Sequence, residues 1–147
     1  MLWKENIQKI PDSISITLSD LSEGMLRDAR RNIGQKDKRF EFEILDAEKI
    51  PFMAETFDLV IANHMLFYCE DLSQTCREVA RVLKKSGRFI CSTYGKKHMK
   101  EVSELAKGFD NRIVLSADNL YEKFGKENGK EILKPYFHEI SWQEYKD

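Results

Sequence analysis

The chain has 147 residues, 41% hydrophobic and 33% charged, which suits one domain with a real core beneath a charged surface. Its 24 basic and 25 acidic residues leave a formal charge of −1, so no basic excess exists to hold nucleic acid non-specifically. No apolar run reaches membrane-spanning length, the N-terminus has no signal-peptide core, and Cys69, Cys76 and Cys91 lie at no metal-ligand spacing; a soluble, cytoplasmic protein with free thiols and no metal is expected.

Residues Leu2–Ile10 read as the end of a helix, with Leu2, Trp3, Ile7 and Ile10 at helical spacing and Pro11 as the stop. Ile14, Ile16 and Leu18 alternate with Ser15, Thr17 and Ser19, a strand pattern ending at Asp20. Ser22 caps a helix with Met25, Leu26, Ala29 and Ile33 on one side, closed by Gly34 in a left-handed position. Phe40, Phe42 and Ile44 alternate with charged neighbours in a second strand that leads to Asp46-Ala47. Phe57–Ala62 is nearly continuous and apolar, as in a strand covered on both faces, and Asn63-His64-Met65 follow it.

An amphipathic helix is predicted between Ser73 and Lys85, with Cys76, Val79, Ala80 and Leu83 as its buried stripe. Gly87 and an apolar strand over Arg88–Thr93 come next, then a turn at Gly95. Helices over Met99–Phe109 and Asp118–Lys126 and a late strand within Tyr136–Tyr145 complete the chain. Alternating strands and helices predict an α/β fold with a doubly wound, mainly parallel sheet. No repeat or linker marks a boundary, so residues 1–147 are read as a single domain. The Lys96, Lys97 and Lys100 cluster reads as a solvated face.

Acids at the ends of successive strands face the ligand side of such a sheet. Asp20 suits both hydroxyls of a ribose, or equally a helix cap. Asp46 suits the amine of an adenine, with the neighbouring amide on a ring nitrogen, though an Asx turn is the commoner role there. Asn63, His64 and Met65 suit a reacting centre, or a capping Asn and a half-exposed His. A lone histidine does not make a general base.

Together these pieces are more specific than any one alone. Thr17-Leu18-Ser19-Asp20-Leu21-Ser22-Glu23-Gly24-Met25-Leu26, Asp46-Ala47-Glu48-Lys49-Ile50-Pro51-Phe52, Phe57-Asp58-Leu59-Val60-Ile61-Ala62-Asn63 and Arg77-Glu78-Val79-Ala80-Arg81-Val82-Leu83-Lys84-Lys85-Ser86-Gly87-Arg88 follow in order. Over residues 2–95 the chain resembles the class I S-adenosylmethionine-dependent methyltransferases that act on small molecules. The resemblance implies a Rossmann-like fold, S-adenosylmethionine as cofactor and a small-molecule methyl acceptor. By it, Asp20 holds the ribose, Leu21 and Met25 border the adenine, and Asp46 with Ala47 reads the adenine edge. Asn63, His64 and Met65 then lie beside the sulfonium, with Tyr68 and Tyr94 on the substrate side.

The family's first strand and its Gly-x-Gly loop have no counterpart here, nor does its last strand. The expectation is therefore an incomplete domain that binds cofactor weakly or not at all. Alternatively, a partner, or a second copy in a homodimer, completes the open sheet. Loss of the strand between those ending at Asp20 and Asn63 predicts a gap of roughly 9–10 Å, or a rearranged pairing. A nicotinamide-dependent dehydrogenase is a remote alternative, because an acid after the second strand also holds ribose there. The Asp46-Ala47 and Ile50-Pro51-Phe52 blocks point away from it.

Overall fold

A computed structural model describes residues 2–34, 37–113 and 116–145, with backbone only at Leu2 and residues 116–119. The chain divides into two compact units, Met1–Pro51 and Phe52–Asp147.

In the first unit, α1 (Leu2–Asn6) runs into a 3-10 turn over Ile7–Lys9 before Pro11. Then come β1 (Ile16–Asp20), α2 (Glu23–Ile33) and β2 (Phe40–Ile44). β1 and β2 pair in parallel, from Ile16 opposite Phe40 to Asp20 opposite Ile44. Ser22 Oγ accepts from the Met25 amide and starts α2, whose Leu26, Ala29 and Ile33 form the buried stripe. Gly34 ends it at φ 104°, ψ 134°, so the positive φ that favours glycine is present, in a more extended form than the left-handed one expected. Trp3 packs edge-on to Phe40 with centroids 6.0 Å apart. The Arg39 guanidinium donates to the Asp37 carboxylate and to the carbonyls of Ile7 and Ile10, stapling the N-terminal turn to the start of β2.

The second unit contains β3 (Phe57–Asn63), a 3-10 turn over Leu66–Tyr68, α3 (Leu72–Val82) and β4 (Leu83–Ser92). Helices α4 (Lys100–Phe109), α5 (Ser116–Lys123) and α6 (Gly129–Leu133) follow. β3 and β4 are parallel, with Leu59 opposite Arg88 and Asn63 opposite Ser92. The core is Ala62, Leu66, Phe67, Cys76, Phe124 and Leu133, with Phe89, Tyr94, Tyr136, Phe137 and Ile140 packed around it. Burial pushes the Cys76 and Cys91 thiols up to about 11.

Several expectations are corrected. The helix predicted to Lys85 stops at Val82, because Leu83 pairs with Phe57 and begins the next strand. Residues 136–145 form no strand; Tyr136, Phe137 and Ile140 serve the core through their side chains instead. The Phe57–Ala62 run is incompletely covered on the face that carries Leu59. Leu59 and its neighbour Ile90 remain 45% and 50% exposed.

Each sheet has two strands, β1–β2 and β3–β4. Among the described residues, the second edges of β1 and of β3 carry no ladder.

Candidate functional site

Parallel pairing sets the first two acids at the same end of one sheet. Asp20 lies opposite Ile44 on the last rung of the β1–β2 ladder, and Asp46 follows two residues later. The Leu45 amide donates to the Asp20 carbonyl at 3.4 Å and holds the strand ends together. Each carboxylate uses one oxygen locally. Asp20 Oδ1 accepts from the Ser22 amide and Asp46 Oδ1 from the Glu48 amide, both at 2.8 Å. These are the turn-forming roles that short acids take beside a helix or bend. The second oxygen of each has no protein partner among the described residues. Turn formation and ligand binding are thus compatible in both acids. Leu21 and Met25 stand 72% and 57% exposed beside Asp20, and Ala47 is half-buried. Open carboxylate oxygens next to bare apolar side chains suit a nucleoside, which offers hydroxyl donors and a flat base.

The second unit brings a different group together at the carboxyl ends of β3 and β4. Asn63 Oδ1 accepts from Ser92 Oγ at 3.3 Å, and Ser92 Oγ accepts from the His64 amide at 3.2 Å. His64 has φ 48°, a left-handed conformation that costs a non-glycine residue on the order of 1–3 kcal/mol and is found where surrounding structure enforces it. Its ring stacks on Tyr94, with centroids 4.3 Å apart and planes inclined by 15°. His98 stacks on Tyr94 at 4.0 Å and 12°, and Phe67 lies at 5.8 Å. Partial burial, and secondarily the neighbouring His98, push His64 below its ordinary 6.5. Met65 packs against the core, whereas Tyr68 is 68% exposed and meets Phe67 edge-on.

Ser92 and His98 escape sequence reasoning. Ser92 is one more small residue in a strand, and His98 sits in a basic loop that carries no periodic signal. Gly95 was the only mark of the turn that returns His98 to Tyr94, through the His98 amide donating to the Gly95 carbonyl at 2.9 Å. Two open depressions in the first unit, of about 440 and 660 Å³, are lined by Arg30, Gly34 and Phe40–Glu43, and by Asp12–Ser15 and Lys38–Arg39. Neither includes a candidate site residue named above. Among the described residues, no group of three or more His, Cys, Asp or Glu side chains can hold a metal ion.

Residues 5–91 match the family described as Methyltransferase domain. The chain belongs to the S-adenosylmethionine-dependent methyltransferase family. Membership replaces the nicotinamide-dependent alternative and makes S-adenosylmethionine the cofactor. The chain is 29% identical over 107 residues to the ubiquinone/menaquinone biosynthesis C-methyltransferase UbiE of Rickettsia peacockii, a match covering 71% of this chain and 43% of that protein. It therefore spans less than half the length of that relative.

Among solved structures, the chain resembles the PH0226 protein of Pyrococcus horikoshii, with a TM-score of 0.70 and 26% identity over 90% of this chain and 69% of the other. An S-adenosylmethionine-dependent methyltransferase of Mesorhizobium loti matches at a TM-score of 0.51 and 33% identity, over 58% of this chain and 38% of that one. With these neighbours, the parallel pairs and interleaved helices are those of a Rossmann-like methyltransferase fold. No helix among the described residues is long and apolar enough to cross a membrane.

Proposed function

We propose that residues 1–147 belong to one methyltransferase-like domain that transfers a methyl group from S-adenosylmethionine to a small molecule. The observation that carries this reading is the pair of open carboxylate oxygens on Asp20 and Asp46 at the same end of one sheet. In this reading Asp20 takes the ribose hydroxyls, Leu21 and Met25 border the adenine, and Asp46 with Ala47 reads its edge. Asn63, His64 and Met65 belong to the sulfonium side, and Tyr68 and Tyr94 to the acceptor side. When bound, the cofactor supplies a methyl group already activated by positive sulfur. The chain's own residues therefore contribute mainly by positioning. Free thiols fit a reducing, cytoplasmic setting.

No Gly-x-Gly sequence occurs in the 147 residues, so this chain alone is expected to bind the cofactor only weakly. Nuclear magnetic resonance with millimolar S-adenosylmethionine tests the site. Backbone amides around Asp20–Met25 and Asp46–Glu48 should shift, and Asp20→Ala should abolish the shifts. Unmoved amides would remove the assignment, while a dissociation constant at or below the low micromolar range would contradict weak binding.

The bare edges of β1 and β3 favour a second reading, a non-catalytic or partner-completed module, for example a homodimer. Sedimentation across a concentration series separates it from a monomer.

A further inference from the structure

The polar rings around Tyr94 are held by their faces, which leaves their edges available. His64 and His98 cover the two faces of the Tyr94 ring at 4.3 and 4.0 Å. Among the described residues, neither imidazole nor the Tyr94 hydroxyl makes a side-chain hydrogen bond. His64 directly follows β3 and Tyr94 comes two residues after β4, at the carboxyl ends where open α/β sheets take ligands. The backbone is left-handed at His64 (φ 48°) and again at Met99 (φ 54°), immediately after His98. Two strained turns thus present two imidazoles to one phenol ring. Because the imidazoles lie on opposite faces of that ring, one metal ion with nitrogen bonds of about 2 Å cannot reach both. Proton transfer is the chemistry this set can perform.

We propose that His64, Tyr94 and His98 form the proton-accepting wall for the methyl acceptor, and that the acceptor carries a phenol-type hydroxyl. This rests on the methyl-transfer reading above and adds to it the acceptor class and the part played by His98. A neutral imidazole matches a hydroxyl of pKa ~10 far better than the much less acidic hydroxyl of an aliphatic alcohol. A flat hydroxylated ring lying beside the column can bring its hydroxyl into the plane of the His64 ring, where the nitrogen lone pair points. In the transfer, the acceptor oxygen forms the new O–CH₃ bond with its lone pair. Its proton passes to an imidazole nitrogen, and the electron pair of the broken C–S bond stays on sulfur. Water then takes the proton from the imidazolium. His98 supports Tyr94 from the far face and is a positioning residue.

The test uses the 147-residue protein with phenol as probe, following the ring resonances of His64, His98 and Tyr94. Phenol should shift both histidines saturably and cyclohexanol should not. Tyr94→Phe keeps the stack and should keep binding, whereas Tyr94→Ala should weaken it about three- to tenfold. His98→Gln should weaken it comparably while leaving the urea midpoint unchanged, a separation that a merely structural histidine would not show. Absence of a saturable phenol shift, or equal shifts with cyclohexanol, overturns the proposal. If the cofactor leaves the Asp20 amides unmoved while phenol still binds, the methyl-transfer reading fails and the acceptor role with it. If the cofactor moves those amides and phenol does not bind, only this proposal fails.

Discussion

At His64 the backbone turns left-handed as β3 ends against Ser92, and Tyr94 covers one face of its ring. Partial burial, then the proximity of His98, lowers its pKa from 6.5. Because the folded value is depressed, the neutral ring contributes stability that is fully present above about 6.5 and lost as pH falls through the folded value. A resonance titration should place the His64 midpoint below 6.5, and His98→Ala should return it part of the way upward. A native midpoint at or above 6.5 would contradict this. Asp20 has two duties, one for each oxygen, and they can be separated. Asp20→Asn keeps an oxygen for the Ser22 amide and so should preserve the start of α2, while Asp20→Ala removes both functions. Hydrogen bonds to a charged acceptor contribute ~1.5–3 kcal/mol each, and a ribose offers two, so Asp20→Ala should lower cofactor affinity by at least about tenfold. Unchanged affinity in a resonance titration would remove the ribose assignment.

Among the elements, β4 shows how a local irregularity sets the register. Phe57 pairs with Leu83 but Leu59 with Arg88, so the chain between bulges out and returns at Gly87. A Cβ there would meet the Lys84 carbonyl oxygen at 2.9 Å and that of Phe57 at 3.1 Å. Gly87→Ala should therefore cost about 1–3 kcal/mol in urea unfolding. Gly108, inside α4, has nothing within 4 Å of such a Cβ. There the same substitution should strengthen the helix by about 0.5–1 kcal/mol, read as slower amide hydrogen exchange in α4.

The elements were legible to the extent that their causes are local. Alternation in Phe40–Ile44, the Ser22 cap and the stripe Leu26–Ala29–Ile33 all act within a few residues of themselves, and each appears where expected. The end of α3 was not legible, because Phe57, far away in the chain, claims Leu83. At the site the division is the same. Asp20 and Asp46 could be read from strand ends, but the stacking of His98 on Tyr94 depends on a turn whose outcome no spacing encodes.

At the scale of the whole molecule, two compact units each hold a two-stranded parallel sheet, and the acids and the ring stack belong to different units. In the second unit, Phe124 is fully buried and its carbonyl accepts from Thr93 Oγ1 at 2.6 Å. Phe124→Ala should cost about 3–5 kcal/mol, a large share of the ~5–15 kcal/mol that holds an ordinary domain together, and should lower the urea midpoint sharply. A midpoint close to that of the native chain would show that this core does not govern unfolding. The same core encloses Cys76, wholly buried, with its thiol pushed up to about 11. Since the thiolate is the reactive species, a maleimide at neutral pH must wait for the interior to open before it can attack. The protein thus carries a built-in clock: the rate at which Cys76 is alkylated counts openings of the second unit without any engineered label site. A dye attached through Ser13→Cys, on the exposed turn before β1, would go on in moments and leave that clock running.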